Sequence, residues 1–306
     1  MLIFYWHIVA TKRSNLSTWR LLRFVFANNE SGTMKTPIGI FDSGYGGLTI
    51  LEEIRKRLPE YDYLYLGDNA RTPYGTRSFE VVYEYTLQAV KKLFDEGCFL
   101  VILACNTASA KALRTIQQND LPRLYPERRV LGVIRPTVEV VDRITTTGHI
   151  GVLGTPGTIS SESYPLEIQK LFPNIVVSGE ACPLWVPLVE NGEHDKEGAD
   201  YFVRQHLDSI LNKDPLIDTL ILGCTHYPLL INKIKHCLPS HVQVISQGKY
   251  VAESLEDYLF RHPEIRERCS MNGTCHFQTT ESEEKFVNMA SLFLKGDVEV
   301  ERICLE

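Results

Sequence analysis

From Pro37 onward the chain alternates short β-branched and aliphatic runs with longer amphipathic stretches. The runs IGIF (38–41), YLYL (63–66), FLVILA (99–104), VLGVI (130–134), IGVLG (150–154), IVVSG (175–179), TLILG (219–223) and VQVIS (242–246) predict strands. Between them, helices are predicted over Leu48–Arg57, Phe79–Glu96, Ala108–Gln118, Ser160–Leu171 and Ala199–Leu211. Strict alternation of this kind predicts an α/β fold with mostly parallel sheets.

The chain also echoes itself. IGIFDSGYGGLTIL at 38 resembles IGVLGTPGTISSES at 150, and FLVILACNTASAKAL at 99 resembles DTLILGCTHYPLLIN at 218. Strands of parallel sheets tend to look alike, being apolar runs before a turn, but two separate blocks at nearly the same offset favour duplication. The expectation is two pseudo-symmetric, doubly wound domains with a site in the cleft between them. The first would comprise residues 34–130 and 244–306, completed by C-terminal helices, and the second residues 131–243. The polar segment TIQQNDLPRLYPERR (115–129) is the expected crossing point.

Residues 1–33 stand apart. They are rich in aromatic and basic residues, hold no acidic residue before Glu30, and precede Met34-Lys35-Thr36-Pro37, which reads like an ordinary start. An upstream extension or a misassigned initiation codon is the first expectation and a docking or regulatory arm the second.

Composition narrows the function. The 306 residues are 44% hydrophobic and 23% charged with a net charge of −6, the profile of a globular protein rather than a disordered or fibrous one. Lys and Arg form no long basic run, so a nucleic-acid surface is not expected. No apolar segment approaches the roughly 20 residues needed to cross a bilayer, and the apolar start LIFYW has its positive charges behind it, unlike a secretory signal. Eight scattered cysteines suit a reducing cytoplasm better than a disulfide scaffold.

Two of those cysteines carry the candidate chemistry. Cys105 and Cys224 each stand where a predicted strand ends and a helix begins, the place where open parallel sheets bind ligands. The free N–H groups and positive dipole end of the following helix would favour thiolate over thiol. Asn106-Thr107 and Thr225-His226 place hydrogen-bond donors directly after each sulfur, suited to a carboxylate. The remaining cysteines (98, 182, 237, 269, 275 and 304) are expected to be apolar filler, the usual role of a free cysteine.

Two facing thiols could form a redox disulfide, bind a metal with His226, or exchange protons on opposite sides of one carbon. The absence of C-x-x-C weakens the first and the shortage of convergent ligands the second. Proton transfer suits a pseudo-symmetric pair and predicts inversion at a stereocentre. IFDSGYGGLTIL places Asp42 and Ser43 before a glycine-rich turn that could cradle an anion or simply be a tight turn. GDNARTPYGTRS (67–78) contains Tyr74-Gly75, whose hydroxyl and backbone could meet a substrate, and Glu190 and His226 are candidate acid or base partners.

Together the blocks DSGYGGLT, GDNARTPYG, ACNTASA, GVLGTPGTI, LGCTHYPLL and FQTT, from Ile38 to Leu294, resemble the glutamate racemases of the aspartate/glutamate racemase superfamily. The resemblance implies two α/β domains around a buried site, interconversion of L- and D-glutamate without a cofactor or metal, and supply of D-glutamate to peptidoglycan. It further implies Cys105 and Cys224 as catalytic thiols assisted by Asp42, Glu190 and His226. Asp42, Ser43, Tyr74, Gly75, Asn106, Thr107, Thr225 and His226 would contact substrate. GVIRP at 132–136 departs from the GVIEP common in the family, which puts the local interface or hinge around Arg135 in question. A homodimer, racemisation of aspartate or another amino acid, and a non-catalytic two-lobed binding protein all stay open.

Overall fold

A computed structural model describes residues 35–294, 296 and 298–306. The expected extension, residues 1–33, lies outside the described residues. Ten strands are present among them: β1 (Ile38–Asp42), β2 (Tyr63–Gly67), β3 (Leu100–Leu103), β4 (Arg129–Gly132), β5 (His149–Gly154), β6 (Val176–Ala181), β7 (Thr219–Gly223), β8 (Gln243–Ile245), β9 (Cys275–Thr279) and β10 (Val300–Arg302). They form two sheets, ordered β10-β9-β2-β1-β3-β4 and β6-β5-β7-β8, in which every ladder is parallel. The α/β fold with parallel sheets is therefore as expected.

The apolar runs form strands because both sheet faces are covered. Along β1, β2 and β3 alternate residues turn to opposite sides: Ile38, Ile40, Tyr63, Tyr65, Leu100 and Ile102 pack into one core, and Phe41, Leu64, Leu66, Val101 and Leu103 into another. A strand buried on both faces reads as a continuous apolar run. The flanking helices bury one stripe each. Leu48–Arg57 buries Leu48, Ile50, Leu51 and Ile54 and ends in Arg55, Lys56 and Arg57, cations that suit a helix C-terminus.

Four neighbouring strands of the first sheet repeat the strand order of the second. In the first, β1 lies between β2 and β3, with β4 beyond; in the second, β5 lies between β6 and β7, with β8 beyond. The self-similar blocks occupy equivalent strands, β1 with β5 and β3 with β7. In such sheets the order reverses between β1 and β3 and between β5 and β7, which opens a crevice at their carboxyl ends.

Several elements differ from expectation. β4 belongs to the first sheet and β8 to the second, so the chain changes sheets after Gly132 and after Ile245. Val133 and Ile134, expected in a strand, instead open the helix Ile134–Val138. The C-terminal part adds two strands as well as helices, β9 beside β2 and β10 at the edge. The helix expected over Ala108–Gln118 starts at Asn106 and breaks at Ala112, with a π-helical turn at Ile116–Asp120. That expected from Ser160 divides into Pro156–Ser160 and Ser163–Leu171, with Glu162 between them at a φ of 53°. Among the described residues no helix is long and apolar enough to cross a membrane.

Arg135 lies on the outward crossing. Its guanidinium pairs with Glu139 at 2.8 Å and with Glu167 at 3.2 Å, and Glu167 also takes Arg114 and Lys170. The departure from GVIEP thus builds a half-exposed ion cluster linking three helical segments.

Candidate active site

Cys105 stands two residues beyond β3 and Cys224 directly after β7, so both thiols occupy the carboxyl ends at which the sheets open. Both are nearly enclosed, at 5% and 6% exposure. Cys105 caps the helix Asn106–Lys111, its sulfur accepting from the Ala108 N–H at 3.4 Å, and the Ser43 hydroxyl lies 3.3 Å from the same sulfur.

The expectation that a helix end would favour thiolate at Cys105 is corrected. Burial, reinforced by the charge of Asp42, pushes its pKa up to about 12, against the smaller opposing effects of Ser43 and the Ala108 N–H. Water removed from a sulfur anion outweighs one turn of amide dipoles. Cys224 contributes to the same upward push, so the two sulfurs lie within electrostatic reach of one another. The chain after Cys224 also departs from expectation, entering a 3-10 turn at Tyr227–Leu230 before any α-helix.

The second thiol has a different escort. His226 Nδ1 lies 3.9 Å from Cys224 Sγ, and its Nε2 lies 2.9 Å from Glu190 Oε1. Burial alone would pull His226 down, but hydrogen bonds to Cys224 and Glu190, with their negative charges, lift its pKa to about 10. Its charged form therefore supports folding fully below the ordinary value of 6.5, a contribution lost as pH rises towards about 10. Glu190→Gln removes one of the two raising partners. The alkaline limb of kcat/KM set by His226 should move to lower pH, and a pH profile with an unchanged limb would show that the ion pair does not govern that proton.

Asp42, at the end of β1, is raised first by burial, against His226 and the N–H groups of Gly47 and Gly44, with Glu190 adding to the rise. Its Oδ2 accepts from Gly44 N–H at 2.9 Å, while Oδ1 has no partner among the described residues. The glycine-rich turn is shaped for close approach between the halves. A Cβ on Gly46 would stand 2.3 Å from Thr225 Oγ1 and 2.4 Å from His226 Nδ1. Thr49 ties the same place, its hydroxyl 2.8 Å from the Gly46 carbonyl and 3.1 Å from that of Thr225.

Other candidates are held by partners that sequence reasoning did not supply. The Tyr74 hydroxyl donates to Asp68, so it is engaged rather than free, and the Gly75 carbonyl accepts from Gly157 N–H at 2.7 Å. Thr107 Oγ1 lies 2.9 Å from Thr155 Oγ1 and 3.3 Å from Thr158 Oγ1, making a buried cluster of three hydroxyls drawn from both halves. Asn106 is bound to Gln247 and Tyr164. Thr155 had a signal: it follows β5 as Ser43 follows β1 in the repeated blocks. Gln247 had none. Of the other cysteines, 98, 182 and 269 are buried and 237 and 275 half-buried, but Cys304 is exposed and is not packing filler.

Comparison with known proteins accords with this geometry. The model of the Asp/Glu/Hydantoin racemase family matches residues 48–255. The chain belongs to that family. It is 40% identical over 274 residues to the glutamate racemase of Ruegeria sp. (strain TM1040), covering 86% of this chain and 98% of that relative. Among solved structures, this racemase-family chain resembles glutamate racemase isoform RacE1 from Bacillus anthracis (37% identity, TM-score 0.80, 88% and 97% of the two chains covered). It also resembles the Francisella tularensis glutamate racemase in complex with D-glutamate (34% identity, TM-score 0.79, 88% and 98% covered).

Proposed function

We propose that the chain interconverts L- and D-glutamate in the cleft between its two halves, one thiol removing the α-proton while the other delivers a proton to the opposite face. The observation that carries this reading is the equivalence of Cys105 and Cys224. Each follows the equivalent strand, β3 or β7, in the four-strand order that recurs in both sheets, and the charge of Cys224 adds to the upward push on Cys105.

In one direction the substrate loses its α-proton to the Cys224 sulfur, and its electron pair is delocalised into the α-carboxylate. Cys105, kept protonated by burial beside Asp42, then gives its proton to the other face. The reverse direction exchanges the roles. The protonated His226, held by Glu190, balances negative charge at the Cys224 side. Hydroxyl and N–H donors in a site closed to water can stabilise charge building on the substrate carboxylate more strongly than they could in bulk solvent. The hydroxyl cluster of Thr107, Thr155 and Thr158 supports placing a carboxylate there. Glutamate is favoured over aspartate because relatives about 40% identical over most of their length are glutamate racemases. The chemistry calls for no cofactor, since thiols and hydrogen-bond donors suffice. Cytoplasmic location, a homodimer and delivery of D-glutamate to peptidoglycan belong to the same proposal, on family resemblance.

Optical activity tests it directly. A solution of either glutamate enantiomer, given the chain without added cofactor, should lose its circular dichroism signal and yield the racemate, with aspartate turned over far more slowly. Preference for aspartate, or tight glutamate binding with no decay of the signal, would refute the assignment.

A further inference from the structure

Three buried polar side chains close a hydrogen-bond ring between the halves. Asn106 Nδ2 donates to Gln247 Oε1 at 2.7 Å, Gln247 Nε2 donates to Tyr164 Oη at 2.7 Å, and Tyr164 Oη donates to Asn106 Oδ1 at 2.8 Å. Each group gives and takes in one rotational sense, the arrangement in which neighbouring bonds polarise one another. The Gln247 amide has one consistent orientation, because flipping it would set its oxygen against the Val133 carbonyl, which can only accept. Its Nε2 also approaches Thr137 Oγ1 at 3.0 Å and the Val133 carbonyl at 3.3 Å.

The members come from distinct parts of the chain. Asn106 follows Cys105 in the first half. Tyr164 belongs to the helix Ser163–Leu171, packed on the second sheet. Gln247 stands between β8 of the second sheet and the helix Gly248–Arg261, which packs against Leu48–Arg57 of the first half. Val133 and Thr137 lie on the outward crossing, so Gln247 holds both crossings together at one amide. Tyr164 reaches the other thiol turn: its ring lies 3.3 Å from where a Cβ on Gly223 would stand. After burial and the opposing Gln247 bond, the charge of Cys224 further raises the Tyr164 hydroxyl.

We propose that the Asn106–Gln247–Tyr164 ring is a positioning device that sets the Cys105 turn against the Cys224 turn, with Gln247 and Tyr164 as positioning residues. This rests on the two-thiol reading above. A carbon between two proton carriers tolerates little change in their separation, and neither Gln247 nor Tyr164 has to touch substrate to control it. All three residues are 1–2% exposed, so losing one member leaves the other two without solvent to replace it.

The test uses the full chain and the variants Tyr164→Phe, Gln247→Met and the double variant, assayed about 20 °C below each melting midpoint so that lost stability does not masquerade as lost activity. Each single variant should lose about tenfold in kcat, in keeping with a displacement of a fraction of an ångström, with KM changed less than about twofold. The double variant should be no worse than either single one, because the ring is already open. Gln247→Glu, isosteric and still an acceptor toward Asn106, replaces the Met variant if that chain folds poorly. Tyr63→Phe is the control: its hydroxyl bonds the Leu58 carbonyl at 2.7 Å, at the opposite end of β2, and its loss should lower the melting midpoint without touching kcat. Unchanged kcat in Tyr164→Phe, additive losses in the double variant, or a loss carried in KM would each overturn the positioning role. An inactive wild-type chain would instead overturn the functional reading, and the ring's role with it.

Discussion

Replacing either Cys105 or Cys224 with serine lowers racemisation by about a thousandfold or more, in both directions. Serine keeps nearly the shape of cysteine, but its hydroxyl is a far weaker acid and its oxyanion is not available near neutral pH. Both directions must suffer together. The enantiomers have equal free energy, so kcat/KM is the same forward and backward, and a step slowed one way is slowed the other way too. Heavy water separates a two-base site from a single swinging base. The Cys105 variant retains the Cys224 thiol with His226 and Glu190 beside it, so the enantiomer facing that sulfur should still exchange its α-proton for deuterium without inverting. The Cys224 variant should show the mirror result with the other enantiomer. Full racemase activity in either serine variant would end the two-thiol account, and so would deuterium exchange of both enantiomers by one remaining thiol.

The parts of this molecule legible in the sequence are those whose physics is local. Eight strands could be read as short aliphatic runs, most plainly β1, β2, β3 and β7, which are buried throughout, whereas the edge strands β4, β6 and β8 are only partly covered. The equivalence of the two cysteines followed from repeated blocks. β9, with the sequence CHFQT, escaped because polar residues interrupt it and its outer end is only partly covered, and β10 because three residues carry no pattern. The break at Ala112 and the π turn after it depend on how the helix meets β4, which periodicity does not encode. The placement of Cys105 was legible but its ionisation was not. A helix start can be recognised from neighbours in sequence, whereas the burial that keeps the thiol protonated comes from chain far away. Gln247 is the extreme case. It meets Asn106 across 141 positions, and a lone glutamine before a helix gives no sign of that partner.

Gly46→Ala should cost about a hundredfold in kcat, because about 1 Å of displacement at the site is enough for a loss of that size. The added methyl carbon would stand 2.3 Å from Thr225 Oγ1, 2.4 Å from His226 Nδ1 and 2.8 Å from His226 Cε1, so the turn bearing Cys224 must retreat. Neither neighbour can swing aside cheaply. Thr225 and His226 are buried, His226 is held by Glu190 at 2.9 Å, and Thr49 joins the Gly46 and Thr225 carbonyls from below. The strain therefore passes to the spacing of the two thiols and to the imidazole between Cys224 and Glu190, with overpacking costing about 1–3 kcal/mol of stability as well. Backbone conformation is not the reason, since Gly46 is not among the residues at positive φ. Gly198→Ala makes the contrast. It lies in the first turn of the helix Glu197–Lys213 with nothing within 4 Å of an added Cβ, so alanine there should stabilise by roughly 0.5–1 kcal/mol and leave kcat alone. Steady-state kinetics beside thermal melts of both variants decide the matter. A Gly46→Ala enzyme with wild-type kcat would mean that the two thiol turns need no such closeness, and the placement of His226 against the first half would lose its role in the chemistry.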